Sequence, residues 1–186
     1  ERLVGQFHDP LLPEGTALGH EAGKKIRAIL TRLDIAENQV ALIGDAQASV
    51  AETVEAVTTG AAFGPDVLRF SLPNFCDINA GFQNGQSITL PDDPDQAFPG
   101  GESLNDFVEA TEEGLDGLYE GLQDVRLAVV VMQDLPLRAL HRQLSHGGGP
   151  MRHTGELFTQ LLPEGVLIHW AQTLDDGNWV QLTTVC

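Results

Sequence analysis

Cysteines and basic residues are both scarce in this sequence, and each scarcity argues against a class of protein. The two cysteines, Cys76 and Cys186, cannot build a disulfide framework, and neither stands in a spacing typical of a metal site. The 27 acidic and 10 basic residues give a formal charge of −17, which repels nucleic acid backbones and anionic membranes. We therefore expect no nucleic-acid partner, no metal, no cofactor and a reducing, cytoplasmic location.

Long hydrophobic runs are also missing. The longest wholly apolar run, residues 127–132, is far too short to cross a bilayer, and no basic segment followed by an apolar one opens the chain. We expect no membrane association. The chain begins with Glu1 instead of methionine, which leaves open a leader or initiator segment ahead of it. At 186 residues the length suits one compact domain, so we expect a single domain over residues 1–186.

The apolar spacing in the first third of the chain predicts strands and helices in alternation. Residues 2–7 form a short apolar run typical of a strand, and Pro10 and Pro13 then predict a loop. Apolar residues from Leu18 to Leu33 recur every three to four positions, which predicts an amphipathic helix over residues 14–33. A buried strand at 40–43 and a helix at 46–59 follow. This β-α-β order indicates a parallel sheet.

The second half of the chain continues the alternation. Residues 91–101, rich in Pro, Asp and Gly, predict an exposed loop, and Ser103 with Asp106 predicts a capped helix that runs to about Tyr119. The valine-rich segment 126–132 predicts a central strand covered on both faces. A helix at 135–144 and two strands, at 166–170 and 179–184, complete the pattern. The last two strands are expected to form a hairpin around a turn at 175–177.

Three motifs occur in a particular order along the chain. Residues 10–15 read PLLPEG, residues 76–85 read CDINAGFQNG, and residues 99–103 read PGGES and are followed by Asp106 and Phe107. Together they resemble motifs of the histidine phosphatase (phosphoglycerate mutase-like) superfamily, and the resemblance extends over nearly the whole chain. It implies a three-layer α/β/α sandwich with a mostly parallel central sheet. It also implies an active site at the carboxyl ends of the strands.

The same resemblance implies that the catalytic side chains of that superfamily are missing. The family attacks phosphorus with a histidine of an RHG motif and holds the phosphoryl group with two arginines and the histidine of an SHGG motif. Matching residues 3–4 to the first motif puts Gly5 at the first arginine, Gln6 at the nucleophile and His8 at a glutamate. Further along, Ser49 replaces the second arginine and Gln133 the second histidine, while Asp77 keeps the acid.

Two features of the sequence complicate this alignment. Residues 1–6 also match a later ER..GQ stretch of the family, which would leave the first strand and its catalytic loop partly outside the chain. In addition, residues 145–148 read SHGG and residues 152–156 read RHTGE, close copies of the two catalytic motifs. Both copies follow a predicted helix, whereas the chemistry requires the end of a buried strand. We therefore expect them to form a glycine-rich surface connection.

These substitutions define the predicted site. A glutamine amide nitrogen has no basic lone pair with which to attack phosphorus, and an acidic floor without arginines repels a phosphate dianion. We expect a pocket for a neutral or cationic small molecule. Its predicted catalytic residues are His8, Asp77 and Asp134, and its predicted ligand-binding residues are Gly5, Gln6, Ser49 and Gln133. Asp134 has a simpler interpretation as the cap of the helix at 135–144. The resemblance further implies a homodimer.

Three hypotheses about function remain open at this point. The first is an enzyme whose pocket performs cyclisation, isomerisation or elimination on an organic metabolite, in a biosynthetic pathway. The second is a non-catalytic pseudoenzyme that binds a ligand or a protein partner. The third is a residual phosphoesterase that uses other histidines. The sequence alone does not decide between them, because it identifies no substrate.

Overall fold

A computed structural model describes residues 2–4, 10–45, 47–71, 78–81, 86–122, 124–158, 167–172 and 179–185. In chain order its elements are β1 (Arg2–Val4), α1 (Pro13–Leu33), β2 (Val40–Gly44), α2 (Ala48–Ala61), β3 (Leu68–Ser71), β4 (Gln86–Ile88), α3 (Leu104–Gly121), β5 (Leu127–Val130), α4 (Asp134–His146), β6 (Leu167–Gln172) and β7 (Trp179–Val185). Short 3₁₀ helices lie at Glu37–Gln39 and Thr154–Phe158.

The chain forms two compact units. Unit 1 comprises Glu1–Gln6, Asp77–Glu113 and Asp134–Cys186, and unit 2 comprises Phe7–Cys76 and Gly114–Gln133. The predicted α/β class is confirmed, since a small parallel sheet is flanked by helices. None of the helices in the described ranges is both long enough and apolar enough to cross a membrane.

Unit 2 contains the parallel sheet, in the order β3-β2-β5. All five residues of β2 are buried, as expected for a strand with a neighbour on each side. The expectation that the valine-rich strand is covered on both faces is wrong at Ala128, which is exposed while Val129 is buried. Among the described strands β5 pairs with β2, and its central position stays a prediction. A run of valines reports strand propensity, but it does not report how fully the strand is covered.

Helices α1 and α2 of unit 2 approach each other closely through glycines. The predicted helix α1 is present, but two of the apolar residues whose spacing predicted it, Leu18 and Leu33, are 48% and 42% exposed. Its buried positions are Gly19, Gly23, Ile26 and Leu30. A side chain at Gly23 would overlap the backbone of α2, and one at Gly60 would overlap the backbone of His20 in α1. The contact therefore uses backbone against backbone, which a count of apolar residues does not detect.

The parallel sheet of unit 2 has two edges, which differ in strand direction. The carboxyl edge is where β2 and β5 end, at Gly44 and Val130, and the amino edge is where they begin.

Helix α1 begins at Pro13, so this proline starts the helix and does not lie in the predicted loop. Proline suits the first position of a helix because the amide hydrogen it lacks would have no partner there.

Unit 1 is built around an apolar cluster and a capped helix. Its buried residues are Ile78, Ala80, Phe98, Leu104, Phe107, Val108, Leu135, Ala139, Met151 and Leu157. The predicted cap is confirmed: the Ser103 hydroxyl accepts the Asp106 N–H at 3.1 Å, and the Asp106 carboxylate accepts the Ser103 N–H at 3.0 Å. The Ser103 hydroxyl, foremost, and the Ser103 N–H both donate to the Asp106 carboxylate and lower its pKa. Within the predicted exposed loop at 91–101, Phe98 turns into the core at 8% exposure.

The remaining strands of unit 1 pair antiparallel. The predicted terminal hairpin is confirmed by the pairing of β6 with β7, although its turn lies outside the described residues. Strand β1 agrees with the first part of the predicted strand at 2–7, and it pairs antiparallel with β4. Strands β3 and β4, which are four and three residues long, were not predicted. Strands this short carry too few residues for a pattern to be read.

Candidate functional site

Two polar side chains are buried just beyond the end of β2, at the carboxyl edge. Asp45 and Gln47 are each 5% exposed. The Asp45 Oδ1 atom accepts the backbone N–H of Gln47 at 2.7 Å, and Gln47 is the residue that precedes helix α2. The positive end of the α2 dipole therefore lies next to the Asp45 carboxylate.

Beyond the end of β5, Gln133 joins this pair of residues. Its Nε2 atom donates a short hydrogen bond to Oε1 of Gln47 across 86 residues of sequence. Gln133 is half-buried, and Ser49, also half-buried, lies in the first turn of α2. We call Asp45, Gln47, Ser49 and Gln133 the strand-end cluster. Its known composition is one carboxylate, two amides and one hydroxyl.

In the described part of the chain, none of the four arginines of unit 2 forms a hydrogen bond or ion pair with this cluster. Arg27 donates to the carbonyls of Ala61 and Ala62 at 2.6 and 2.9 Å and pairs with the Glu37 carboxylate. Arg126 donates to the Asp34 carbonyl at 3.0 Å. Both lie at the amino edge, and Arg32 lies in the last turn of α1, at 31–33.

The fourth, Arg69, is in β3 and pairs with Glu55 of α2 at 2.7 Å. Arginine is the side chain best suited to hold a phosphoryl group, because its planar fork matches two oxygens at once. In unit 2 the guanidinium groups of Arg27, Arg69 and Arg126 donate hydrogen bonds to carbonyls and carboxylates of the same unit.

Of the seven predicted site residues, the structure describes three. Ser49 and Gln133 both lie at the carboxyl edge, as the resemblance implies. Asp134 begins α4 and is exposed, and its Oδ1 atom accepts Nε of Arg138 at 2.9 Å. Gly5, Gln6, His8 and Asp77 lie outside the described residues, so their roles stay predictions.

Asp45 and Gln47 are functional candidates that the sequence analysis missed. The available signal was their position directly after a buried strand and directly before a helix, where open α/β sheets hold their ligands. No group of three or more His, Cys, Asp or Glu able to hold a metal ion occurs among the residues with described positions.

The SHGG copy at 145–148 lies in unit 1, and a carboxylate of the same chain binds the glycine that follows it. Gly147, Gly148 and Gly149 all have positive φ, between 75° and 88°. The Glu112 carboxylate accepts the Gly149 N–H at 3.1 Å. The nearly buried Arg142 donates to the Gly149 carbonyl at 2.8 Å. The loop thus binds a carboxylate of its own chain.

The RHTGE copy at 152–156 is part of the same connection. The backbone N–H of Arg152 donates to Glu156 at 2.9 Å, and Arg142 also pairs with Glu156, at 3.2 Å. These contacts, the Arg152 N–H foremost, lower the pKa of the Glu156 carboxyl against the opposing effect of burial. The segment Thr154–Phe158 is a 3₁₀ helix, so this copy does not follow a buried strand.

Comparison with known proteins supports the fold and leaves the chemistry open. No protein-family model matches the sequence, and the curated proteins include no match. Solved structures do match. The protein of open reading frame Rv3214 from Mycobacterium tuberculosis superposes with a TM-score of 0.68 at 14% identity, covering 98% of this chain and 87% of the other.

A second similar structure is the mycobacterial glucosyl-3-phosphoglycerate phosphatase Rv2419c. Its native structure has a TM-score of 0.68 at 13% identity and covers 97% of this chain and 89% of that one. Its complex with VO3 has a TM-score of 0.65 at 12% identity, with coverage of 97% and 88%. The chain therefore has the fold of the histidine phosphatase and phosphoglycerate mutase-like proteins. At this identity the likeness concerns the fold alone.

Proposed function

We propose that this chain, which has a histidine phosphatase-like fold, uses its strand-end cluster to bind a neutral or cationic small metabolite and does not transfer phosphoryl groups. The observation that supports the proposal most strongly is the amide pair of Gln47 and Gln133 beside the buried Asp45 carboxylate. These side chains lie at the edge of the sheet where the resemblance implies histidine and arginine.

Electrostatics supports the exclusion of phosphate. A phosphoryl group needs several charge-assisted hydrogen bonds, each worth roughly 1.5–3 kcal/mol. In unit 2, Arg27, Arg69 and Arg126 are engaged with carbonyls and carboxylates of the fold. The Asp45 carboxylate would repel a phosphate dianion, and little water remains around a buried charge to screen it.

The chemistry of the side chains supports a non-phosphoryl reaction. An amide cannot form a phosphoryl-enzyme intermediate, whereas a carboxylate can accept or return a proton. Asp45 is the described candidate for this role, and His8, Asp77 and Asp134 stay predicted ones. Proton transfer of this kind serves cyclisation, isomerisation or elimination of an organic metabolite, and we place such a reaction in a biosynthetic pathway.

A second candidate function is a non-catalytic binding protein. The Gln47–Gln133 hydrogen bond favours it, because this bond holds the two side chains in place without a substrate. Turnover of a metabolite by the purified chain would favour the enzyme. Tight binding of the same metabolite without any product would favour the pseudoenzyme.

An assay with para-nitrophenyl phosphate tests the exclusion of phosphoryl chemistry. We expect no turnover by the wild-type chain above that of buffer. A turnover that falls in the Gln133→Ala variant and not in the Gln39→Ala variant would contradict the proposal and support a residual phosphoesterase. Gln39 is a suitable control because it is a half-buried glutamine of the same unit at the amino edge.

A thermal-shift series tests the charge preference independently of turnover. Phosphate and orthovanadate are compared with neutral and cationic metabolites at equal concentration and ionic strength. A ligand that binds only the folded chain raises the melting temperature in proportion to its affinity. We expect neutral or cationic compounds to give the largest rise. The proposal is wrong if phosphate or vanadate stabilises the wild-type chain most.

A further inference from the structure

The Gln47–Gln133 pair has unused hydrogen-bonding groups of both kinds. Each primary amide offers two N–H donors and one carbonyl acceptor, and the pair consumes one donor and one acceptor in its mutual bond. Either orientation of the two amides leaves a carbonyl oxygen and N–H groups over. The cluster can therefore bind a partner that supplies an acceptor and a donor side by side.

One of these hydrogen-bonding groups is buried, which makes the lack of a partner energetically unfavourable. The Nε2 atom of Gln47 is buried and has no hydrogen-bond partner among the residues whose positions the structure describes. A buried amide N–H without a partner is unfavourable, so a ligand carbonyl that accepts it is favoured over water. Gln133 is only half-buried and stands next to it, so rotation of the Gln133 side chain is the movement that admits such a carbonyl.

The charges of the cluster favour a neutral group. The Asp45 carboxylate already accepts the backbone N–H of Gln47 and lies at the positive end of α2, so it has partial compensation and still disfavours a second anion. A cation is therefore not needed to neutralise it. A carboxylate or phosphate, in turn, would meet Asp45 and would find the Arg27, Arg69 and Arg126 guanidinium groups bound elsewhere.

We infer that the Gln47–Gln133 pair recognises a planar, uncharged carboxamide-type group, in which a carbonyl oxygen stands beside an N–H. Primary carboxamides, lactams and ureides share this arrangement. The inference rests on the proposed function and narrows its neutral or cationic metabolite to one chemical class. Gln133 contacts the ligand, and Gln47 holds Gln133 in place and donates its buried Nε2 N–H to the ligand's carbonyl oxygen.

Three probes of one shape separate the charge classes. Benzamide, benzamidine and benzoate carry the same ring and differ in a neutral, a cationic and an anionic planar group. Each is titrated into the full chain labelled with ¹⁵N, and the dissociation constant is read from backbone amide shifts near the carboxyl edge. We expect benzamide to bind tightest and benzoate at least about tenfold more weakly, as loss of one hydrogen bond and added repulsion predict.

Two variants and one control locate the recognition. Gln47→Leu should weaken benzamide about tenfold, the effect of losing one buried hydrogen bond. Gln133→Glu should reverse the order and make benzamidine the tightest ligand, because a carboxylate pairs with an amidinium. Gln39→Leu should change nothing. Circular dichroism checks that Gln47→Leu folds, and the half-buried position of Gln133 provides a second variant if it does not.

The outcomes separate this inference from the proposed function. If benzoate binds tightest, both are wrong. If benzamidine binds the wild-type chain as tightly as benzamide or more tightly, the carboxamide inference is wrong and the broader proposal stands. If benzamide binds tightest but neither glutamine variant alters its affinity, the group is recognised elsewhere. Absence of binding by all three probes also overturns the inference.

Discussion

The amino and carboxyl edges of the sheet in unit 2 use their polar side chains in different ways. At the amino edge, Arg27 and Arg126 donate to backbone carbonyls and to Glu37, so their charges support the ends of α1 and α2. At the carboxyl edge, Gln47 and Gln133 bind one another, and Gln47 keeps a buried N–H without a protein partner in the described part of the chain. The amino edge is thus organised for stability, and the carboxyl edge keeps hydrogen-bonding capacity unused.

The pKa values agree with this division. The Arg27 side chain and the Gly64 N–H bind the Glu37 carboxylate and lower its pKa, against the opposing effect of burial. A lowered carboxyl pKa means that the folded state favours the charged form. Substitutions at the amino edge should therefore lower mainly the stability, and substitutions at the carboxyl edge should alter mainly ligand binding.

The largest loss of stability should come from a substitution in the contact between α1 and α2. In the Gly60→Ala variant, the added methyl group overlaps the backbone of His20, so α1 and α2 must separate. We expect a loss of about 3 kcal/mol in the free energy of unfolding, measured by urea denaturation. Gly117→Ala is the control, because nothing lies within 4 Å of its new methyl group. That variant should gain up to about 1 kcal/mol from helix propensity.

Removal of an arginine at the amino edge should lower the stability less than Gly60→Ala does, but by a measurable amount. Arg27→Met keeps the apolar stem and leaves the Ala61 and Ala62 carbonyls and the Glu37 carboxylate without this donor. We expect a loss of about 2 kcal/mol, since several hydrogen bonds to one charged group are lost together. Arg32→Met, at an exposed position of the same helix, should stay within about 0.5 kcal/mol. Equal effects of the two variants would show that the amino edge does not have the assigned role.

A double-mutant cycle at the carboxyl edge should show coupling with little net stabilisation. Gln133→Leu alone removes the only described partner of a buried amide and should cost about 1–2 kcal/mol. The double variant Gln47→Leu, Gln133→Leu removes both amides and should regain most of that loss. Thermal and urea unfolding measure both. A double variant that is less stable than either single variant would mean that the amides serve the fold, as the arginines do.

The smallest effect should be the pH dependence of the amino edge. Because the pKa of Glu37 is lower in the folded chain than the ordinary glutamate value of 4.5, its contribution is present above that value. That contribution is lost as the pH falls through the lowered folded pKa. For a partly exposed pair we expect less than about 1 kcal/mol. Urea midpoints between pH 7 and pH 3 should fall less steeply in Glu37→Gln than in wild type, and parallel curves would contradict the assignment.

Local rules predicted the elements whose signals lie within one segment. The Ser103 and Asp106 side chains stand three residues apart, so their reciprocal bonds could be read from the sequence alone. The long helix α1 was predicted by its apolar spacing, yet its contact face runs through Gly19 and Gly23. Hydropathy patterns do not score glycine as a packing residue, so the apolar spacing includes the exposed Leu18 and omits both buried glycines.

The candidate site was predictable only in part, for a similar reason. The resemblance identified Ser49 and Gln133, because each stands at a fixed distance from a recognisable motif. It did not identify Asp45 and Gln47, since the bond between Gln47 and Gln133 joins residues 86 positions apart. Such a pair depends on which strands become neighbours, and the pairing of β2 with β5 is a property of the folded sheet.

The Glu112 carboxylate in unit 1 has a consequence for attempts to restore phosphate binding. Because it is tethered beside the three consecutive glycines, its local concentration greatly exceeds that of any free anion at ordinary buffer strength. An oxyanion from solution would have to displace an occupant that the chain itself supplies. Glu112 already binds the backbone N–H that directly follows the motif copy, so replacing neighbouring residues without removing Glu112 would leave that N–H occupied.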